Sequence, residues 1–236
     1  LLLDLVNEED VVGGGGTDDD ALPLGAERDD EVSFPLYLAM LRSVLGPARF
    51  TVHVFGPTGQ GKTYSVLYLL RHFGAWTENS ALVRAASTYA GLEACAHAVG
   101  DLPLLVDDFK GNMSEKDKAA FATFLQCVGD GSGRSRGTVD QGMREGKPPP
   151  GLVLTTGEEA VPGEASTFAR TFSIRMVPRK GHVDAGRDWM RECGEPASKA
   201  MSAYLCHVAG RLDQVRSGHA RESGDIPRVL FPSEGG

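Results

Sequence analysis

Gly56-Pro57-Thr58-Gly59-Gln60-Gly61-Lys62-Thr63 matches the pattern GxxxxGK[ST] at every fixed position. Glycines at those places let successive backbone N–H groups turn inward and surround phosphate oxygens. The lysine then reaches the β and γ phosphates of a nucleotide, and the Thr63 hydroxyl is placed to ligate Mg²⁺. The flanks suit this use. Thr51 to Phe55 is a short β-rich run, and Lys62 to Phe73 reads as a helix whose N-terminus faces the anion. The expected ATP-contacting set is therefore Gly56, Pro57, Thr58, Gly59, Gln60, Gly61, Lys62, Thr63 and Tyr64. The competing reading of the same residues is a glycine-rich turn carrying a solvated lysine.

Such a site needs a carboxylate at the end of a second strand, and Leu102-Pro103-Leu104-Leu105-Val106-Asp107-Asp108 supplies two. One acid holds the Mg²⁺ shell through water and the next polarises the attacking water. Asp107 is expected at the metal and Asp108 at the water, and a slip of one residue along the strand exchanges the two roles. A third apolar run, Leu152-Val153-Leu154-Thr155-Thr156-Gly157-Glu158, ends in hydroxyls. Thr156 is the first candidate there for a group facing the phosphate or the water, and Thr155 the second. Simple strand-end hydroxyls are the alternative.

Two groups of cations remain. Residues 134 to 147 form an Arg-rich, Gly-flanked insert with Arg134, Arg136, Arg144 and Lys147 against Asp140 and Glu145, a net +2. Cations on such a hairpin can follow a phosphate backbone, reach a neighbour's nucleotide, or merely be solvated. Arg170 stands where a helix gives way to a strand, and a cation there can complete an adjacent subunit's site, stabilising charge on the transferring phosphoryl group. A surface ion pair is its other reading.

The elements that must position these groups follow from the apolar pattern. Helices are expected over Phe34 to Leu45, Lys62 to Phe73, from Ser87 or Thr88 to Val99, Ser114 to Val128, and Gly163 to Arg170. Strands are expected over Thr51 to Phe55, Ala81 to Ala85, Leu102 to Val106, Gly151 to Thr156 and Thr171 to Val177. Strands alternating with helices predict an α/β fold: a three-layer sandwich around a five-stranded, mainly parallel sheet, followed by C-terminal helices.

Composition separates the chain into three parts. Residues 1 to 33 hold eleven acids and one base, whereas the remaining residues carry a net +2, so the overall charge of -8 belongs to one end. Residues 1 to 33 are expected to be an acidic flexible segment, 34 to 183 the nucleotide-binding domain, and 184 to 236 a helical segment. No stretch approaches the roughly 20 apolar residues of a spanning helix, which points away from a membrane and toward a cytoplasmic protein. The four cysteines show no metal-ligand spacing and are expected as buried or half-buried thiols. The first residue is Leu1, which is expected of a piece of a longer protein.

Taken together, Ser87-Thr88, Leu105-Val106-Asp107-Asp108-Phe109, the run Gly131-Ser132-Gly133-Arg134-Ser135-Arg136-Gly137, Pro148 to Glu158 and Ala169-Arg170 form a recognisable set. It resembles the ATPase domain of helicases and primase-helicases from phages and bacterial mobile elements. These are relatives of superfamily 3 helicases among the AAA+ and additional-strand P-loop ATPases. The resemblance covers about residues 48 to 180. It implies a ring, usually a hexamer, that uses ATP and Mg²⁺ to move on single-stranded or forked DNA, often joined to a primase-polymerase module. It implies that Thr156 faces the γ-phosphate or the water, that the Arg-rich hairpin lines the central channel, and that Arg170 is an arginine finger. The sequence departs from superfamily 3 in carrying Thr156 where Asn is expected, and arginines in the hairpin where many relatives use Lys and His. The competing classes are a non-unwinding DNA-binding ATPase of the loader or packaging type, a small-molecule kinase, and a nucleotide-gated assembly module.

Overall fold

The computed structural model describes residues 30–76, 82–137, 143–161, 165–177 and 194–214. Its elements are α1 (Asp30–Ser43), β1 (Thr51–Phe55), α2 (Lys62–Leu70) with a 3-10 turn (Arg71–Phe73), β2 (Leu82–Arg84), α3 (Tyr89–Val99), β3 (Leu104–Phe109) and α4 (Glu115–Asp130). Then come a hairpin of β4 (Gly133–Gly137) and β5 (Met143–Gly146), β6 (Val153–Gly157), the short α5 (Ala165–Phe168), β7 (Thr171–Arg175) and α6 (Gly194–Ala209).

The main sheet has the order β2-β3-β6-β1-β7. Every pairing in it is parallel. All five strands therefore end at one edge, and the chain returns to the other edge between successive strands of the sheet. The expected sheet was mainly parallel; the observed one is wholly so among the described residues. Its strands carry apolar side chains on both faces, as a sheet covered on both sides requires. Val52, Val54, Leu105, Leu154 and Ile174 face one layer, built on α1, α2 and Met201 of α6. Leu104, Val106, Phe109 and Val153 face the other, built on α3 and α4 through Leu92, Phe121, Phe124 and Val128. Each such fully buried side chain contributes roughly 1.5–3 kcal/mol of transfer free energy. That is the three-layer sandwich expected from the pattern.

The helix caps are those expected. Thr88 accepts the N–H of Gly91 before α3, and Ser114 accepts the N–H of Asp117 before α4. Three boundaries move. The helix α1 begins at Asp30, inside the stretch expected to be flexible. The expected helix Gly163 to Arg170 is a single turn, Ala165–Phe168. The strand expected to close at Val106 runs through both acids to Phe109. Residues 1–29 of the acidic segment, and most of 178–236 outside α6, lie outside the described residues. No helix among the described residues is long and apolar enough to cross a membrane. Cys95 and Cys127 are half-buried thiols, but Cys206 is exposed, against expectation.

Candidate phosphate site at the strand ends

Because the main sheet is parallel, the loops after β1, β2, β3 and β6 meet at one edge, where open α/β sheets bind their ligands. The loop after β1 is built on two glycine requirements. At Gly56, φ is +149°, and a Cβ there would stand 2.3 Å from the Met176 carbonyl oxygen. This glycine lets the loop leave the sheet between β6 and the end of β7: its N–H donates to the Gly157 carbonyl at 3.2 Å. Gly61, at φ +77°, is the left-handed residue before α2. The Gly61 carbonyl accepts from Ser65 N–H at 2.9 Å, which opens the helix directly behind the loop and turns its N-terminal end, the end that favours an anion, toward it.

Lys62 is buried and folds back over the loop. Its Nζ donates to the carbonyls of Gly56 and Pro57, each at 2.7 Å. Burial pushes its pKa below the ordinary lysine range, opposed by the negative charges of Glu158, Asp107 and Asp108. Thr63 Oγ1 donates to Asp107 Oδ1 at 2.8 Å. Asp107 is buried, with only 6% exposure. The same Oδ1 accepts from the Thr156 hydroxyl, and Oδ2 accepts from Arg84 Nη1 at 3.3 Å.

Asp108 is the single non-glycine residue among those described with a positive φ, +70°. Three steps along β3, from Val106 to Phe109, pair with two along β6, from Thr155 to Gly157. One residue is therefore extra, a bulge. Successive side chains of a regular strand point to opposite faces. Here the left-handed turn breaks the alternation, and both carboxylates reach the same Arg84 Nη1, at 3.3 Å and 3.4 Å. Asp108 Oδ1 also meets Lys110 Nζ at 3.0 Å. That bond and the charge of Asp108 raise the Lys110 pKa above the ordinary value. The two acids expected from sequence thus converge, with Asp107 beside the Thr63 hydroxyl and Asp108 farther out.

The structure separates the two threonines. Thr156 is buried, bonds Asp107, and takes the Asp108 N–H at 3.4 Å, so it braces both acids. Thr155 lies on the opposite side of β6, bonded to His53 Nδ1 at 2.7 Å. His53 Nε2 sits 2.8 Å from the Glu159 carbonyl, which only accepts, so Nε2 carries the proton and Thr155 donates to Nδ1. Burial pushes the His53 pKa down to about 4. Tyr64 packs partly buried against the α1–α2 layer.

Arg170 and the hairpin are elsewhere. The Arg170 carbonyl accepts Thr51 N–H at 3.0 Å, which places the residue at the starting edge of the sheet. That is a five-residue strand, roughly 16 Å, from the phosphate loop. Its guanidinium pairs with Asp130 Oδ1 at 2.6 Å and donates to the Ser166 carbonyl at 2.7 Å. Its aliphatic stem runs across Gly129, where a Cβ would meet Arg170 Cδ at 2.3 Å. Arg49 lies across Gly131 in the same way, with Nη1 0.6 Å from the position a Cβ would take. The hairpin continues from this edge. β4 and β5 are antiparallel, with Arg136 opposite Arg144. Arg134 sits on β4, and the exposed Lys147 follows β5, its carbonyl bonded to His97 Nε2 at 3.2 Å.

Four participants were not anticipated: Arg84, Lys110, Glu158 and His53. Glu158 Oε1 accepts from Thr58 Oγ1 of the phosphate loop at 2.9 Å. Lys110 and Glu158 stand immediately after apolar strand runs, a position that marks them in the sequence. Arg84 and His53 are marked by nothing local.

Residues 32–148 match the family model DUF927, a domain of unknown function. No curated protein matches the chain. Among solved structures, JCV helicase bound to a thiazolopyridine-phenoxyphenyl acetamide is 17% identical with a TM-score of 0.47, over 86% of this chain and 58% of that one. JCV helicase alone is 18% identical with a TM-score of 0.45, over 83% and 57%. The structure described as SCCmec type IV Cch, an active helicase, is 12% identical with a TM-score of 0.44, over 77% and 38%. The chain therefore spans less than two thirds of each of these.

Proposed function

We propose that this chain is the ATP-hydrolysing core of a DNA helicase or translocase, working as an oligomeric ring in the replication of a phage or mobile element. One observation carries the proposal: the Thr63 hydroxyl of the phosphate loop and the Asp107 carboxylate of β3 share a 2.8 Å hydrogen bond beside a buried Lys62. Sequence-distant residues meet there in the arrangement a nucleoside triphosphate and its cation need.

A hydroxyl and a carboxylate oxygen suit Mg²⁺, which takes one or two protein oxygens and completes its shell with phosphates and water. Among the described residues no cluster of three or more His, Cys, Asp or Glu side chains forms a cage of its own, which fits that mode. Thr63 and Asp107 would hold the ion, and it would neutralise charge on the β and γ oxygens. Lys62 exchanges its two carbonyl partners for phosphate oxygens. Thr156 keeps Asp107 oriented, and Asp108 takes the proton of the attacking water.

Arg170 is too far from its own loop to serve it, so its part in hydrolysis is across a subunit boundary, after release from Asp130. The hairpin at the same edge supplies Arg134, Arg136, Arg144 and Lys147 to DNA. The test is an ATPase assay with and without single-stranded DNA, followed by strand displacement on a forked duplex. DNA-stimulated hydrolysis with displacement supports the helicase. Stimulated hydrolysis without displacement selects the non-unwinding DNA-binding ATPase, and phosphate transfer to a small acceptor selects the kinase.

A further inference from the structure

Thr156 spends its hydroxyl on Asp107 and is 1% exposed, so it leaves the mouth of the phosphate loop to another group. The next residue on the same side of the chain is the exposed Glu158, with its Oε1 bonded to Thr58 in the middle of the loop at 2.9 Å. Lys110 Nζ stands 4.0 Å from that oxygen and 3.0 Å from Asp108 Oδ1. Two carboxylates from two strand ends therefore share one ammonium beside the loop. Without the lysine they would repel each other and an incoming phosphate.

The backbone around Glu158 is held at three consecutive residues. The Gly157 carbonyl accepts Gly56 N–H at 3.2 Å, and Glu158 N–H donates to the Phe109 carbonyl at 2.9 Å. The Glu159 carbonyl accepts from His53 Nε2 at 2.8 Å. Gly157 is fitted to this place, since a Cβ there would lie 2.9 Å from the Phe109 carbonyl oxygen and 3.0 Å from His53 Cε1. An exposed carboxylate on a strand-end loop is ordinarily free to move. This one is bonded to the loop through Thr58, and its backbone is pinned to β3 and, through the Glu159 carbonyl, to a buried histidine.

We infer that Glu158 is a second carboxylate of the hydrolytic site, orienting the attacking water together with Asp108, with Lys110 as the positioning residue that holds the pair. The inference rests on the ATPase reading above. In the step, the water oxygen forms its bond to the γ-phosphorus while the bond to the β–γ bridging oxygen breaks, its electron pair leaving with ADP. One water proton passes to Asp108, and Glu158 accepts a hydrogen bond from the other hydrogen.

The test compares Glu158→Ala, Glu158→Gln, Glu158→Asp and Lys110→Ala with the parent chain, measuring binding of a fluorescent ATP analogue, steady-state kcat and KM, and melting temperature. Glu158→Ala is expected to bind the analogue within about 3-fold of the parent and to lose about 10²-fold in kcat. Glu158→Asp should recover part of that loss. Lys110→Ala should lower kcat with little change in KM. Glu158→Gln keeps an acceptor for Thr58 but no negative charge, and should lose nearly as much kcat as Glu158→Ala. Parent-level kcat in Glu158→Ala overturns the inference and leaves the ATPase reading standing. Parent-level kcat in Glu158→Gln overturns it too, by showing that Glu158 acts only on the shape of the loop. If Glu158→Ala melts well below the parent, Glu158→Gln decides alone: a folded Glu158→Gln with parent kcat overturns it. A parent chain that binds the analogue no better than Lys62→Ala brings down both readings together.

Discussion

At the finishing edge of the sheet, Lys62, Arg84 and Lys110 stand against Asp107, Asp108 and Glu158, and nearly every one of these groups bonds another of them or the phosphate loop. At the starting edge, Arg170 meets Asp130, Arg49 lies across Gly131, and the hairpin adds three further arginine positions. The first edge is completed by one chain. The second gathers cations around the end of α4. A surface ion pair such as Arg170–Asp130 is worth only about 0–1 kcal/mol, so it yields readily to a better anion. On the proposed function this contrast is a division of labour, one edge for a nucleotide and the other for a neighbour and nucleic acid.

The hardest blow to this contrast is at the loop. Lys62→Ala should abolish hydrolysis, at least about 10³-fold, with loss of nucleotide binding and an unchanged melting temperature. Hydrolysis at the parent rate in that variant would remove the finishing edge as the nucleotide site.

Next in size is Arg170→Ala, expected to bind nucleotide normally and lose roughly 10³-fold in rate. Mixing it with Lys62→Ala subunits sharpens the comparison. Interfaces that join an intact Lys62 to an intact Arg170 should regain turnover. An absence of recovery at every ratio would return Arg170 to its own subunit.

A third effect concerns stability. His53 has its pKa pushed down to about 4, so the unfolded chain takes up its proton first as the solution is acidified. The neutral histidine contributes its full stability above about pH 6.5. That contribution is lost as pH falls toward 4, a total on the order of 3 kcal/mol. Urea unfolding of the parent and of His53→Gln at a series of pH values checks this. The parent should lose stability more steeply over that window, and parallel curves would mean His53 is not held neutral.

The smallest effect is at the hairpin. Arg134→Ala with Arg136→Ala should lower the slope of log affinity for single-stranded DNA against log salt by about 0.7 for each phosphate that is no longer neutralised. Nucleotide affinity should stay as it was. An unchanged slope together with a loss of basal hydrolysis would move these arginines from the channel to the nucleotide of the next subunit.

Much of the finishing edge could be read from the chain because its chemistry is local. The glycine loop, its lysine and its threonine are eight consecutive residues, and Asp107-Asp108 closes an apolar run. The strands were legible because buried parallel strands are continuous apolar runs. The partners of the acids were not. Arg84 reaches them only because β2 pairs with β3 in register, Arg84 against Asp107. The convergence of both acids depends on a left-handed Asp108, which no residue pattern announces. Thr156 and Thr155 look alike in sequence, and only the strand's alternation tells the one under Asp107 from the one beside His53. The short α5 was overestimated because four helical residues have too few turns to show a period.

Gly129 and Gly131 give the α4 terminus a property that a genetic screen would see before a biochemical one. Neither carries a functional group, yet each leaves the space that an arginine occupies. Alanine at Gly129 would displace the stem of Arg170, and alanine at Gly131 the guanidinium of Arg49. A lesion at Gly129 should therefore fall into the same phenotypic class as loss of Arg170, whereas one at Gly131, where φ is +58°, also strains the left-handed cap of α4.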